Sequence, residues 1–515
     1  MALTKVHSRM IDGASANVRD YGAAGDGTTD DTVAIQAAIN SGSNTIYFPP
    51  GFTFLCESRL SVTTANVTFS GYNATIVTKD GISAGSAIIY VDANRFSIFG
   101  LTIEGQQFSG QHADCDAIFI NSGANSIVQD CRIQNFDNGA GIALRSLGSN
   151  HVIKDNFIKN CTPVAAGGDQ YGSIMCNASG TLVTGNRITE HKQTGISNFG
   201  GDYITITDNY MAGADGVSDV GGIIFDGLTI GCVMDGNTIY TGDVEGIQIA
   251  GSISGYGGAS KDHIISNNVI INSDYSAITL FAADTGAVTQ VTISGNHISN
   301  SDSTTGRAFE MNRASKILIS GNYVTGHNRG VEIPNLCTDV NITGNYFYNQ
   351  DNIAIMVYGN KWLVSGNKII GDSGSTIGIQ FNAITVAGEQ LIHGNQISEC
   401  ATGINGTFNS SLQTFVYNNH FLDNTADYSW TSRGVNSVKD NAYDSALSGE
   451  FTLVAGAASV AFSGLTADDL IEFYLKTNGG TEGALYISNK NAGVGFDVAS
   501  TSSTDTSTYY WRVNR

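Results

Sequence analysis

Charged side chains are scarce in this sequence. Asp, Glu, Lys and Arg make up 14% of its 515 residues, and acidic groups outnumber basic ones 46 to 25, for a formal net charge of -21. Phosphate backbones are held by clustered Lys and Arg, so this balance excludes nucleic acid as a partner and disfavours a strongly anionic ligand. Proline is rarer still, at 4 residues, and long helical patterns are few. The cysteines (Cys56, Cys115, Cys131, Cys161, Cys176, Cys232, Cys337 and Cys400) show no CxxC pair and no Cys/His ligand spacing, and Cys176 and Cys232 sit in or beside apolar runs. They read as buried thiols, with no metal and no cofactor expected. No apolar run reaches membrane-spanning length, and the opening Leu3-Thr-Lys-Val-His-Ser-Arg9 lacks the apolar centre of a secretory signal. The expectation is a soluble protein folded in a cytoplasm, without membrane insertion.

What is abundant is glycine, 62 residues, and it recurs in a repeat. A two-residue corner appears at Gly71-Tyr, Gly100-Leu, Asp130-Cys, Asp155-Asn, Gly185-Asn, Asp208-Asn, Gly236-Asn, Asn267-Asn, Gly295-Asn, Gly321-Asn, Gly344-Asn, Gly366-Asn, Gly394-Asn and Asn418-Asn. Spacings run from 22 residues (366 minus 344) to 31 (267 minus 236). A fixed minimum with variable excess is the signature of a solenoid whose coils share a core and differ in their loops. Gly, Asn and Asp tolerate left-handed backbone at a corner, and stacked Asn side chains can hydrogen-bond along the axis. The Leu-rich consensus of a leucine-rich repeat is missing and the period is short for a propeller blade. The fold class is all-β, a right-handed parallel β-helix.

Residues 1–16 carry no fold signal and read as a leader; the β-helix with its cap occupies 17–440. Within it, Asn17-Val-Arg-Asp-Tyr-Gly-Ala-Ala-Gly-Asp-Gly-Thr-Thr-Asp-Asp-Thr32 precedes a helix at about 30–40, with Thr29 or Asp30 as cap, Asp31 in the first turn, and Val33, Ile35 and Ile39 on its apolar side. Asp26, Asp30 and Asp31 serve turn and cap rather than a metal. Thr45-Ile-Tyr-Phe-Pro-Pro-Gly51 follows as a strand and turn. From 441 to 515 the chain alternates in short runs (Phe451–Val454, Ser459–Phe462, Leu470–Leu475, Ala484–Ile487, Gly493–Val498, Tyr509–Val513), which predicts a small antiparallel β-sandwich.

This layout resembles bacteriophage tailspikes and related pectin-lyase-like proteins, in which a short N-terminal helix caps a right-handed parallel β-helix. The resemblance implies a homotrimer, trimerised through the C-terminal module, on a virion tail. It also implies binding and cleavage of a bacterial surface polysaccharide, an O-antigen or a capsule. Tailspikes commonly begin with a particle-binding head, for which this chain has no room. Either a preceding segment is absent or attachment to the phage tail uses an adaptor protein.

Each repeat also holds a middle strand whose outward residues align from coil to coil. One column reads Phe119, Ala143, Met175, Ser197, Ile224, Gln248, Thr279, Glu310, Glu332, Met356, Gln380, Asn405, and the next includes Arg145, Asp226, Phe281, Asn312 and Tyr358. Just before the strand lie Glu245, Ser276, Arg307 and Arg329, while Asp243 and Asp274 stack with His327. Aligning the repeats sets Glu310 over Glu332 and Arg307 over Arg329. A polar, aromatic and acidic face of this kind suits a carbohydrate groove.

Glu310 and Glu332 are the candidate acid and base or nucleophile of a glycoside hydrolase, since two close carboxylates resist ionising together. One strand spacing of about 4.8 Å puts the carboxyls roughly 5–7 Å apart, which leans towards retention. Arg307, Arg329, Asp226, Asp243, Glu245, Asp274, Phe281 and Tyr358 are the candidate substrate-binding residues, with Asp243, Glu245 and Asp274 as the second acidic set beside Asp226. Against this stands a plain Arg/Glu ladder tying coils together. A polysaccharide lyase using Arg307, Arg329 and His327, and a non-catalytic binding spike, are the alternative functions. His191, His263 and His393 have no identifiable partner, and no convincing Ser/His pair marks an esterase.

Overall fold

The structure, a computed structural model, describes residues 14–514 apart from 79–85, 106–114, 137–138, 162–171, 214–220, 242–243, 252–258, 274, 283–286, 302–304, 373, 383–389, 408–413, 432–436, 440–447, 463–464 and 468. Among the described residues no helix is long and apolar enough to cross a membrane. The chain divides into two compact units, Met1–Asn341 and Ile342–Arg515.

In the first unit each repeat yields three short strands, as in Val233–Asp235, Thr238–Tyr240 and Ile247–Ala250. Corresponding strands of successive repeats pair in parallel and in register, forming three sheets. Thr205 aligns with Val233 and Ile264 in sheet A, Tyr210 with Thr238 and Val269 in sheet B, and Ile223 with Ile247 and Ile278 in sheet C. The protein is therefore a parallel β-helix. Alternation turns one apolar residue inward in the strands of sheets A and B and two in sheet C, so Met234, Ile239, Ile247 and Ile249 stack into the interior, all fully buried.

The corner between sheets A and B is where composition dictates shape. Gly100, Asp130, Asp155, Gly185, Asp208, Gly236, Asn267, Gly295 and Gly321 all take φ between +54° and +70° or within a degree of it, the left-handed region. Gly71 does not share it; there a Cβ would lie 2.4 Å from Leu101 Cδ2, so the glycine serves close packing. The residue after the corner is buried Asn from Asn156 onward. Its backbone N–H donates to the side-chain oxygen of the next Asn, in the order Asn156, Asn186, Asn209, Asn237, Asn268, Asn296, Asn322. Each Nδ2 reaches back as well, Asn237 Nδ2 donating to Ile206 O at 2.9 Å.

Near the N-terminus the helix is Thr32–Ile39, with Ile35, Ala38 and Ile39 buried. Val33 is 78% exposed, against the expected apolar side: 35 and 39 set the inward stripe, and 33 lies off it. Asp31 is the residue before the first turn, and its carboxylate instead accepts Ala24 N and Gly25 N. Asp30 accepts Thr32 N at 3.0 Å, and Asp26 accepts Thr28 N and Thr29 N within its own turn. All eight cysteines are buried thiols, and burial pushes Cys131 and Cys400 up to about 12.

The second unit holds parallel strand stacks of the same kind, for example Tyr346–Tyr348 beside Lys368–Ile370, with its own run Asn345, Asn367, Asn395, Asn419. Beyond them, Ser448–Thr452, Leu470–Thr477 and Thr508–Asn514 form one antiparallel sheet, and Ala457–Ala461, Leu485–Asn491 and Gly495–Ser500 another. Phe451, Leu453, Phe496, Val498, Tyr509, Trp511 and Val513 make one core shared by both sheets.

The Asn run is expected to carry much of the stability. Asn237→Ala strips the side-chain acceptor from Asn209 N and the side-chain donor from Ile206 O, while Asn209 Nδ2 keeps Val183 O and Thr207 O. Leaving such groups buried and unpaired costs about 1–3 kcal/mol each, so the denaturant midpoint should fall clearly. An unchanged midpoint by chemical denaturation would show that the run is incidental.

Candidate active site

The site is built on the outer face of sheet C, from strands Ile247–Ala250, Ser276–Phe281, Arg307–Asn312 and Arg329–Ile333. In-register pairing makes columns of their outward residues: Gln248, Thr279, Glu310, Glu332 in one, and Ser276, Arg307, Arg329 in the next. Phe281 aligns with Ala250 and Asn312 in a third. Glu245 heads the Ser276 column, because Gly246 N donates to Ser276 O and Ile247 faces Ile278. Asp226 heads the Phe281 column, following the pair Phe225 and Ile249.

Two carboxylates here have guanidinium partners and they are unequal. Glu332 Oε2 accepts from Arg307 Nε and, at 2.7 Å, from Arg329 Nη1. Glu310 Oε2 takes the Ser276 hydroxyl at 2.7 Å and lies 3.7 Å from Arg307 Nη1. Glu332 is thus seated in a fork of two arginines, whereas Glu310 keeps one hydroxyl and one distant cation. Arg307 and Arg329 sit half-buried, which strengthens both contacts relative to a solvated pair.

Glu245 is different. Burial raises its carboxyl above the ordinary Glu range, and the charges of Glu310 and Asp226 raise it further. Asp226 is 8% exposed and accepts Gln248 Nε2 at 3.1 Å. The Glu310 charge, then burial, also raises the Tyr275 phenol, placing Tyr275 against the same carboxylate. Tyr275 and Phe281 stand 48% and 42% exposed at the two ends of one strand. Thr279 lies buried between them.

The structure therefore brings together Asp226, Glu245, Phe281, Arg307, Glu310, Arg329 and Glu332. Asp243 and Asp274 lie outside the described residues, and Tyr358 belongs to the second unit. His327 is fully buried, lowered to about 4 by burial, and so does not face a ligand. His191 and His263 are likewise buried and lowered to about 4, and His393 stacks on Tyr417. The outward column closes over between Ala143 and Ile224: Ala143, Met175, Ser197 and Ile224 are all buried despite their outward register. The open face begins only at Gln248. Ser276 and Tyr275 were not singled out from sequence as site residues, although Ser276 stands in the column of Glu245 and Arg307.

Comparison with known proteins finds three family models. Rhamnogalacturonase A/epimerase, pectate lyase-like, matches residues 15–248; the C-terminal domain of K1 capsule-specific polysaccharide lyase matches 445–514; the periplasmic copper-binding protein NosD matches 219–373. A mannuronan C5-epimerase of Azotobacter vinelandii is 59% identical over 39 residues, 7% of this chain and 4% of that protein's length. Among solved structures, the A-module of an Azotobacter vinelandii mannuronan C-5 epimerase is 18% identical, covering 83% of this chain and 99% of its own, at TM-score 0.39. The enzymatically active domain of bacteriophage CBA120 tailspike protein 2 is 12% identical over 60% of this chain and 47% of its own, at TM-score 0.48. A double mutant of the E. coli bacteriophage HK620 tailspike, in complex with a pentasaccharide, is 14% identical over 97% and 93%, at TM-score 0.44. One chain thus joins a pectate-lyase-like match over 15–248 and a capsule-lyase C-terminal match over 445–514 to the coils of a parallel β-helix.

Proposed function

We propose that this protein depolymerises a bacterial surface polysaccharide, a capsule or O-antigen, by hydrolysing its glycosidic bonds between Glu245 and Glu310. The observation that carries the proposal is the placement of those two carboxyls. Strand Ser276–Phe281 runs between their coils, so one stands on either side of any sugar laid over it. The backbones lie two strand spacings apart across the sheet and three residues apart along it, roughly 14 Å in all. The Glu310 carboxyl narrows that gap by reaching back to the Ser276 hydroxyl, in the column of Glu245, towards the roughly 6.5–9.5 Å of inverting enzymes.

The roles follow from the surroundings. Glu245, with its raised proton affinity, is the acid that protonates the leaving glycosidic oxygen. Glu310, oriented by Ser276, is the base that takes a proton from the attacking water as that water bonds the anomeric carbon and the C–O bond breaks. Glu332, expected from sequence as the second catalytic carboxylate, here holds Arg307 and Arg329 in place, which positions Glu310 through Arg307. Inversion at the anomeric centre replaces the retention that a Glu310–Glu332 pair suggests.

The proposal extends to assembly: a homotrimer on a phage tail, attached directly or through an adaptor and held by the C-terminal sandwich. Support comes from that module's exposed apolar side chains, among them Leu470 at 70% and Tyr474 at 54%. Deleting 449–515 should leave a monomer or an aggregate by light scattering; a trimer of unchanged stability would refute this arrangement.

Glu245→Gln and Glu310→Gln should each lower turnover by roughly a hundredfold or more while polysaccharide still binds, since general acid–base catalysis contributes about 10²–10⁴. Glu332→Gln should cost less. Released oligosaccharides should show no ultraviolet absorbance from unsaturated sugars. Near-normal cleavage by Glu245→Gln, with loss in Glu332→Gln, would return the second role to Glu332; unsaturated products would replace hydrolysis by elimination.

The pH profile offers an independent check. A carboxyl acid with raised affinity works until pH rises through its pKa, so Glu245 sets the alkaline limb of kcat/KM. Asp226→Asn removes one of the charges that raise its proton affinity, and the limb should move to lower pH. A limb that stays put or moves up would mean another group is the acid.

A further inference from the structure

We infer that the groove takes an uncharged glycan, built of neutral or N-acetylated sugars, laid along strand Ser276–Phe281 between the rings of Tyr275 and Phe281. The inference rests on the hydrolytic reading of the same site and adds its substrate class.

Charge comes first. Glu245, Glu310 and Glu332 face this surface with Asp226 beside them, against two guanidiniums, Arg307 and Arg329. Both guanidiniums already engage Glu332. Arg329 Nε, without a partner among the described residues, is buried where a ligand does not reach it. A uronate, sialate or phosphate group in the groove would be desolvated beside carboxylates that outnumber the two cations, both of which already pair with Glu332. Glu245 already shows what that environment does to an anion, since burial and the charges of Glu310 and Asp226 raise its proton affinity. Neutral hydroxyl and acetamido groups meet no such penalty, and carboxylates accept hydrogen bonds from them.

Shape points the same way. Tyr275, just before strand Ser276–Phe281, and Phe281, at its end, are 48% and 42% exposed, and Phe281 stands in a column where the neighbouring positions are Ala250 and Asn312. Six residues at about 3.3 Å each set them roughly 20 Å apart, one on either side of the Glu245–Glu310 axis. Flat rings pack on the C–H faces of sugars without asking for charge. A chain lying across the solenoid, along this strand, meets a ring, then the two carboxyls on its flanks, then the second ring.

The test uses the wild-type protein on a panel of purified bacterial capsule and O-antigen polysaccharides, neutral and N-acetylated ones against uronate-, sialate- or phosphate-bearing ones. Reducing-end release is the readout. For each uronate polymer the carboxyl-reduced form is its neutral counterpart. Cleavage should be confined to uncharged polymers, and for the cleaved polymer Tyr275→Ala and Phe281→Ala should each raise KM about tenfold or more with a much smaller effect on kcat. Tyr275→Phe, which keeps the ring, should restore the KM. Cleavage of an anionic polymer that still needs Glu245 and Glu310 and leaves saturated ends would overturn the substrate class but not the hydrolysis. Cleavage giving unsaturated ends, or none across the panel, would overturn the hydrolytic reading itself. A KM unmoved by both alanine variants would overturn the placement along the strand.

Discussion

A buried backbone amide at each corner is the constraint on which the rest of the structure depends. Turning the chain from sheet A to sheet B within two residues requires left-handed backbone, and the amide that follows is left inside, away from water. An unpaired buried N–H is too costly to tolerate, and the Asn side chain of the next coil supplies the missing acceptor. Because each Asn gives and receives at once, the run fixes both spacing and register. In the early coils, where Leu101 and Cys131 take that position, the Asn run has an end: Cys131 N donates to Asn156 Oδ1, and only the weaker thiol reaches back, to Ile98 O.

Register locked in the interior becomes chemistry on the surface. Once Asn296 is tied to Asn322, Glu310 has to face Glu332 and Arg307 has to face Arg329. A solenoid therefore composes a site by columns: a residue one coil away is a strand spacing distant, and a residue two coils away twice that. Glu310 has Glu332 one coil away in its own column, and Glu245 two coils away in the neighbouring column of Ser276 and Arg307.

Much of this was legible in the sequence, because corner residues and in-register columns are properties of short local patterns. Glycine or asparagine at 236, 267 and 295 marks backbone conformation directly, and counting from those corners is enough to set Glu310 over Glu332. What was not legible depends on which side chains turn towards one another across coils. The choice of Arg307 to reach Glu332 rather than its own strand neighbour Glu310 is a matter of rotamer and distance. The burial of Ile224 at an outward position and the desolvation of Glu245 are set by what covers them. Val33 failed for a simpler reason: on a helix of eight residues, one apolar side chain off the 35–39 stripe is free to face solvent.

Stacking like charges in register is unfavourable in any sheet, and this face does so at neighbouring positions. For Glu310 and Glu332 the cost is offset within the columns, since Arg307 lies beside both and Arg329 completes the fork on Glu332. Glu245 has no such cation among the described residues. Its neighbours in the field are Glu310 and Asp226, and its column partner is a serine committed to Glu310. An Arg in place of Ser276 would have neutralised the whole strip and left an ordinary ladder. The small hydroxyl leaves the strip short of one cation, and the resulting repulsion, with burial, raises the proton affinity of Glu245. A stabilising ladder has no use for that arrangement, whereas an acid catalyst requires it.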